Sequence, residues 1–179
     1  PDQLQARVIE ARERVTAEGE VLTPLDVAQV RAELVKAREA GATSCAVACL
    51  HGWAWPTHER RIADIAREVG FAHVSVSSEV SGLVRYVPRT DTTVADAYLS
   101  PVLDAYVDRV ARAFDAATRL FFMQSNGGLT GAKAFRGRDA VLSGPAGGII
   151  GMTAAAKLAG FDKVLGFDMG GTSTDVSHY

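Results

Sequence analysis

The stretch from Gly166 to Ser177 reads Gly-Phe-Asp-Met-Gly-Gly-Thr-Ser-Thr-Asp-Val-Ser, an apolar strand that breaks into an acid, two glycines, a run of hydroxyls and a second acid. Adjacent glycines let the main chain carry its N–H groups up to phosphate oxygens, because no Cβ stands in the way. Gly170 and Gly171, followed by Thr172, Ser173 and Thr174, therefore suit a phosphate cradle with hydroxyl donors at hand. Asp168, at the strand's end, is placed to orient Mg²⁺ through water, since that ion gives up its hydration shell reluctantly. Asp175 is placed to brace the loop from behind or to reach the same metal. An ordinary strand–turn–strand bend uses the same residue types for its turn; the length of the string favours phosphate.

Two further glycine blocks and two histidines invite the same question. Ser143-Gly144-Pro145-Ala146-Gly147-Gly148 opens a helix, so its free N–H groups could face an anion; equally, Gly144 and Gly147 could serve only to let that helix pack closely. Ser125-Asn126-Gly127-Gly128 follows the carboxyl end of a strand, where α/β proteins place ligands, so Gly127 and Gly128 either line a cleft or make a tight turn. His51 and His58-Glu59 flank a Trp-Ala-Trp-Pro loop and are candidate substrate or metal ligands. In the competing reading Glu59 complements the start of its helix, His58 bonds the loop and the tryptophans cover a sheet edge. No Ser-His-Asp or Cys-His constellation is assignable, and the catalytic residues stay unnamed.

These residues need elements to hold them. Residues 7–22, with Glu18-Gly19 at their centre, suggest a strand pair. Thr23-Pro24 marks a helix start, with Thr23 as N-cap and Leu25, Val27, Val30, Leu34 and Val35 at helical spacing up to Gly41. Residues 43–50 form a short apolar run, expected as a strand covered on both faces in a parallel sheet. A second helix spans about Thr57 to Val69 and stops at Gly70, ahead of a strand over 72–76. Strand, helix and strand in this order imply a right-handed parallel crossover. A long helical region from Asp91 to about Thr118 carries a wide apolar stripe, with Pro101 expected to kink or divide it. Residues 119–124 read as another buried strand. A helix of small residues then runs to Leu158, and a strand over 163–167 leads into the glycine loop.

The chain has 179 residues, 47% of them hydrophobic, enough for a substantial core. A formal net charge of −2 with interspersed signs gives no basic surface, which argues against a nucleic-acid partner. No apolar stretch reaches the ~20 residues of a membrane span, so no membrane partner is expected and a cytoplasmic location is the default. The two cysteines, Cys45 and Cys49, lie in one apolar run and read as small buried hydrophobes rather than a disulfide or a metal knuckle. The chain opens in a charged stretch and closes in mid-strand at Tyr179, so both ends are expected to be cut.

The Asp168–Ser177 string resembles the phosphate loops of the actin, sugar-kinase and heat-shock-ATPase superfamily, and within it the signature of the hydantoinase A/5-oxoprolinase family, relatives of N-methylhydantoinase and the acetone carboxylase β-subunit. Ser143–Gly148, Met123–Leu129, Arg89–Leu99 with Pro101, and Pro56–Arg60 look like further blocks of that family, in order along the chain. The resemblance implies an α/β fold of the actin-like (ribonuclease H-like) ATPase type, a mixed sheet with flanking helices, incomplete here. Residues 1–160 would belong to the first lobe with its connecting helix, and residues 161–179 would begin the second. It also implies ATP and Mg²⁺ as cofactors, a small cyclic amide as substrate, and a second subunit or further domains as partners. The implied chemistry is phosphoryl activation of an amide oxygen before hydrolysis. Activation of a ketone's enol oxygen in a carboxylase subunit, or a nucleotide-binding switch without a small substrate, are the alternatives. The amino-terminal Asp-x-Gly-Gly-Thr-x-Thr-Asp loop of a complete member is not among these residues, so the piece alone is expected to be inactive.

Overall fold

The structure, a computed structural model, describes residues 4–115 and 117–179. It is mixed α/β, and its packing separates into two units: residues 1–104 and residues 105–179.

The first unit starts with an antiparallel pair, β1 (Arg14–Val15) and β2 (Val21–Thr23). Thr23 therefore belongs to a strand and does not cap the helix that follows. That helix, α1 (Val27–Glu39), begins three residues later than the Thr23-Pro24 signal suggests. Asp26 is its cap, with the carboxylate accepting the Gln29 amide at 2.9 Å. β3 (Ser44–Val47) pairs in parallel with β4 (His73–Val76), and α2 (Thr57–Val69) forms the crossover between them, ending at Gly70. Val30, Leu34 and Ala37 of α1 meet Ile62, Ile65 and Ala66 of α2 over Val47, Cys49 and Phe71, and this is the core of the unit. Burial of each large aliphatic side chain here contributes roughly 1.5–3 kcal/mol.

β3 is not covered on both faces as its sequence suggests. Val47 is buried but Ala46, pointing the opposite way, is exposed. On that opposite face the partner of Ala46 is Ser75, whose hydroxyl donates to Asp96 at 2.7 Å. A one-turn helix, α3 (Ser77–Val80), follows β4 directly.

The long helix, α4 (Tyr86–Arg112), starts five residues before the expected Asp91 and contains Pro101 without being divided by it. Its apolar stripe is only partly used. Ala97 and Val107 are buried, whereas Tyr98, Val102 and Tyr106 are exposed. The buried positions on its first half are instead polar: Arg89, Thr93 and Asp96.

The second unit contains the antiparallel hairpin β5 (Phe121–Met123) and β6 (Leu129–Gly131), a one-turn helix α5 (Gly137–Ala140), the helix α6 (Ser143–Leu158), and the hairpin β7 (Leu165–Met169) and β8 (Thr174–His178). β5 is shorter and less buried than its apolar run implies, with Phe121 exposed. α6 packs against both β5 and β7.

Candidate functional site

The glycine loop is the tip of the β7–β8 hairpin. Its register pairs Phe167 with Val176, Asp168 with Asp175 and Met169 with Thr174. Residues directly opposite each other on an antiparallel pair share a face, so the two carboxylates stand side by side, both exposed. That face also carries Gly166 and Ser177, and it is turned toward α6. A Cβ on Gly166 would collide with the Met152 sulfur and the Ser177 hydroxyl, so only glycine lets α6 lie this close. Further along the helix, Gly148 leaves open the space beside Asp168: a Cβ there would come within 3.4 Å of Asp168 Oδ2. Between helix and hairpin runs a cleft of about 400 Å³, lined by Pro145, Gly148 and Met152 on one side and Asp168, Asp175 and Ser177 on the other.

In the loop itself, the Gly170 amide closes the turn on the Ser173 carbonyl at 2.9 Å. The amides of Gly171 and Thr172 have no hydrogen-bond partner among the described residues, and a Cβ on Gly171 would meet nothing within 4 Å. Exposed N–H donors beside two opposed carboxylates suit an anion and a cation together, because each neutralises what the other would leave repelling. The residues therefore fit a phosphate with a hydrated Mg²⁺: Asp168 and Asp175 for the metal's water shell, the amides of Gly171 and Thr172 for phosphate oxygens, and the hydroxyls of Thr172, Ser173 and Thr174 within the same exposed loop.

The other glycine blocks surround this hairpin's helix. α6 begins at Ser143 without a side-chain cap, and Gly144 faces open space. Gly147 approaches Met123 of β5, where a Cβ would stand 3.6 Å from the Met123 side chain, which is the close-packing role. Ser125–Gly128 is a tight turn: the Gln124 amide donates to the Gly128 carbonyl at 2.8 Å and the Gly128 amide to Asn126 Oδ1 at 2.8 Å. Gly127 has φ of 82° and lies against Ile150 of α6. Ser125 joins the turn to the helix start, its hydroxyl donating to the Asp139 carbonyl at 2.7 Å and accepting from the Leu142 amide at 2.9 Å.

His51, His58 and Glu59 lie in the first unit, at the carboxyl end of β3. His58 Nδ1 is 2.7 Å from Glu13 Oε2, and both side chains are largely buried. His51 is half-buried, and its carbonyl accepts the amides of Ala54 and Trp55, which rounds off the loop. Trp55 donates from its indole to the Ala17 carbonyl at 3.0 Å and covers Gly19 of the β1–β2 turn. Glu59 has no solvent exposure. It accepts from the Cys49 amide at 2.7 Å, the Ser77 hydroxyl at 2.5 Å and the Ser78 amide at 3.0 Å. Gly52 lies so near that any side chain there would strike this carboxylate. Among the described residues no three His, Cys, Asp or Glu side chains gather into a direct metal-ligand set.

Sequence reasoning missed the residue that completes this network. Arg89, also fully buried, donates from Nε to Ser77 Oγ at 2.9 Å. Its two terminal nitrogens reach the carbonyls of Cys49, Leu50, Leu83 and Val84 at 2.6–3.1 Å. Nearby, burial pushes the Cys49 thiol up to about 12, with the charges of Glu13 and Glu59 acting in the same direction and Arg89 opposing. Burial alone pushes Cys45 up to about 11. Both thiols are neutral at physiological pH and poor nucleophiles.

Residues 89–179 match the family Hydantoinase/oxoprolinase, and residues 1–70 match the Hydantoinase/oxoprolinase N-terminal region. The chain belongs to the hydantoinase/oxoprolinase family. Among members, it is 45% identical over 166 residues to a 5-oxoprolinase of Saccharomyces cerevisiae, a match covering 89% of this chain and 13% of that protein. The nucleotide-free structure of an acetone carboxylase, described as ATP-dependent, superposes with a TM-score of 0.83 at 27% identity, covering 94% of this chain and 25% of the other. An ATP-dependent caprolactamase from Pseudomonas jessenii superposes with a TM-score of 0.79 at 33% identity, again covering 94% and 25%. This hydantoinase/oxoprolinase chain thus spans between an eighth and a quarter of the relatives it matches.

Proposed function

We propose that the chain is the phosphate-binding part of a longer enzyme that opens a cyclic amide, of the 5-oxoproline or hydantoin type, at the expense of ATP. The observation that carries this reading is the opposed pair Asp168 and Asp175 at the two ends of a glycine loop with exposed amides. The family membership and the lactam-hydrolysing relatives support it. In this reading the fold is part of an actin-like ATPase lobe, with residues 1–160 in the first lobe and 161–179 beginning the second. Further domains or a second subunit complete the site.

When bound, Mg-ATP would supply its γ-phosphoryl group to the amide oxygen with ADP as leaving group, making the amide an electrophile from which water could displace phosphate. The chain's own residues position and neutralise. The amides of Gly171 and Thr172 would hold phosphate oxygens, and Asp168 and Asp175 would hold the metal's waters, so that little reorganisation would be needed as charge moves. Gly148 and Gly166 keep α6 far enough from Asp168, and near enough to the hairpin, for the cleft to exist. His51 stands at the end of a loop whose backbone is fixed, and serves as a substrate contact.

A second reading has specific support. The superposition on acetone carboxylase favours activation of a ketone's enol oxygen by the same phosphoryl chemistry. Phosphate release by the parent protein, with Mg-ATP and either 5-oxoproline, hydantoin or acetone with bicarbonate, separates the two. Stimulation by a ring amide is the expected result; stimulation by the ketone alone would replace the first reading with the second. Hydrolysis stimulated only by a protein partner would make the chain part of a nucleotide switch. The isolated chain is expected to show no turnover.

A further inference from the structure

Two stretches that are far apart in sequence meet at the carboxyl ends of β3 and β4: the loop 48–56, and the segment 77–89 that runs through α3 into the first turn of α4. Almost everything that joins them is one buried polar network. Glu59 holds the first stretch by the Cys49 amide and the second by the Ser77 hydroxyl and the Ser78 amide. Arg89 holds the first by the carbonyls of Cys49 and Leu50, and the second by Ser77 Oγ and the carbonyls of Leu83 and Val84. Five hydrogen bonds match the five N–H donors of a guanidinium. The two opposite charges do not touch. Ser77 stands between them, donating to the carboxylate and accepting from the guanidinium, so each charge is compensated through one hydroxyl.

Isolated buried charges are costly, and a network of this kind gives little net stability over an apolar core of the same volume. What it does give is geometry: planar, fixed donors set the positions of main-chain groups that apolar packing would leave free to slide. The residue that follows directly from the two carbonyls held by Arg89 is His51, with the exposed Trp53 two positions on. α/β proteins place ligands in the loops at this end of parallel strands.

We propose that Arg89 is a positioning residue for the substrate loop His51–Pro56, acting through the Cys49 and Leu50 carbonyls, with Ser77 and Glu59 fixing its own orientation. The proposal rests on the reading that the parent protein acts on a ring amide. Lysine retains the charge but has a single terminal nitrogen, and so cannot reach carbonyls on two loops and a hydroxyl at once.

The test is Arg89→Lys in the parent protein, read in two ways. In steady-state phosphate release, the KM for 5-oxoproline, or for whichever ring amide stimulates the wild type, rises tenfold or more, while the Kd for Mg-ATP changes less than twofold. In hydrogen exchange, amides 49–55 and 77–84 exchange at least tenfold faster, while those of α1 and of the 170–173 loop keep their rates. A wild-type KM, or acceleration spread evenly through α1 and α2, would overturn the proposal, the second by showing that Arg89 supports the fold at large. If the wild-type protein responds to no ring amide, the functional reading fails, and local acceleration in the exchange arm still decides whether Arg89 holds the loop. Ser77→Ala should reproduce the exchange pattern of Arg89→Lys at smaller amplitude.

Discussion

Each unit of the molecule sets acid against glycine, one carboxylate in the first and two in the second, and the two settings are opposites. In the first, Glu59 is sealed from solvent, every oxygen accepts a hydrogen bond, and Gly52 is pressed against it. In the second, Asp168 and Asp175 face each other in the open, and Gly148 and Gly171 leave room around them. A carboxylate whose oxygens are all satisfied by its own chain has nothing left to offer a ligand. Two exposed carboxylates set side by side keep their oxygens open to a ligand. The same residue types are thus satisfied by the chain itself in one place and left exposed in the other, and satisfaction of hydrogen bonds, rather than residue type, tells them apart.

Breaking that contrast should give the largest effect at the open pair. Asp168→Asn in the parent protein is expected to lower ATP-dependent turnover by about 100-fold or more, while urea unfolding of the chain shifts by no more than about 0.5 kcal/mol. The closed group should behave in the opposite sense. Glu59→Ala leaves three donors without their acceptor and the buried Arg89 charge without its counter-charge, and is expected to cost about 3–5 kcal/mol in the same unfolding measurement.

Glycines sharpen the comparison further. Gly166→Ala forces a methyl into Met152 and Ser177, with an expected loss of about 1–3 kcal/mol. Gly171→Ala meets open space and should leave the unfolding midpoint in place, while weakening ATP binding measured by calorimetry, because the added methyl sits where phosphate oxygens must approach.

An effect confined to alkaline pH concerns the thiol beside the closed group. Cys49 is pushed up to about 12 in the folded chain from an ordinary 9.0. Above pH 9 the unfolded thiol has lost its proton and the folded one has kept it. The unfolded state then binds fewer protons, and stability falls as pH rises from 9 toward 12, by at most about 1.4 kcal/mol per pH unit. Cys49→Ala should flatten that decline relative to wild type in urea midpoints taken across this window.

How much of this was legible in the sequence depended on distance along the chain. The glycine loop, α2 with its Gly70 stop, α6 and the parallel pairing of β3 with β4 are written in local pattern, although β3 is only Ser44–Val47 of the run 43–50 and β7, Leu165–Met169, begins and ends two residues later than the expected 163–167. Thr23 misled because Asp26, three residues on, is an equally good cap, and the β1–β2 pairing claimed Thr23 first. The long stripe on α4 misled because apolar spacing shows which side chains share a face, not which of them the chain goes on to cover. Arg89 was visible only as one letter of a motif, since the carbonyls of Cys49 and Leu50 that it holds are 40 and 39 residues away. The available hint was Gly52, a glycine in a turn that asks for no positive φ, standing seven residues before an acid in a helix's first turn.

The indole of Trp55 is bonded to Ala17 and laid over Gly19, and Trp53 stands beside it in the same loop. They are the chain's two tryptophans. Intrinsic emission excited at the indole band therefore reports one loop of the first unit and is blind to the second. An unfolding curve followed by that emission traces the release of the 53–55 loop from the hairpin, whereas circular dichroism sums helices from both units. The separation between the two curves is a ready optical readout of how independently the units melt.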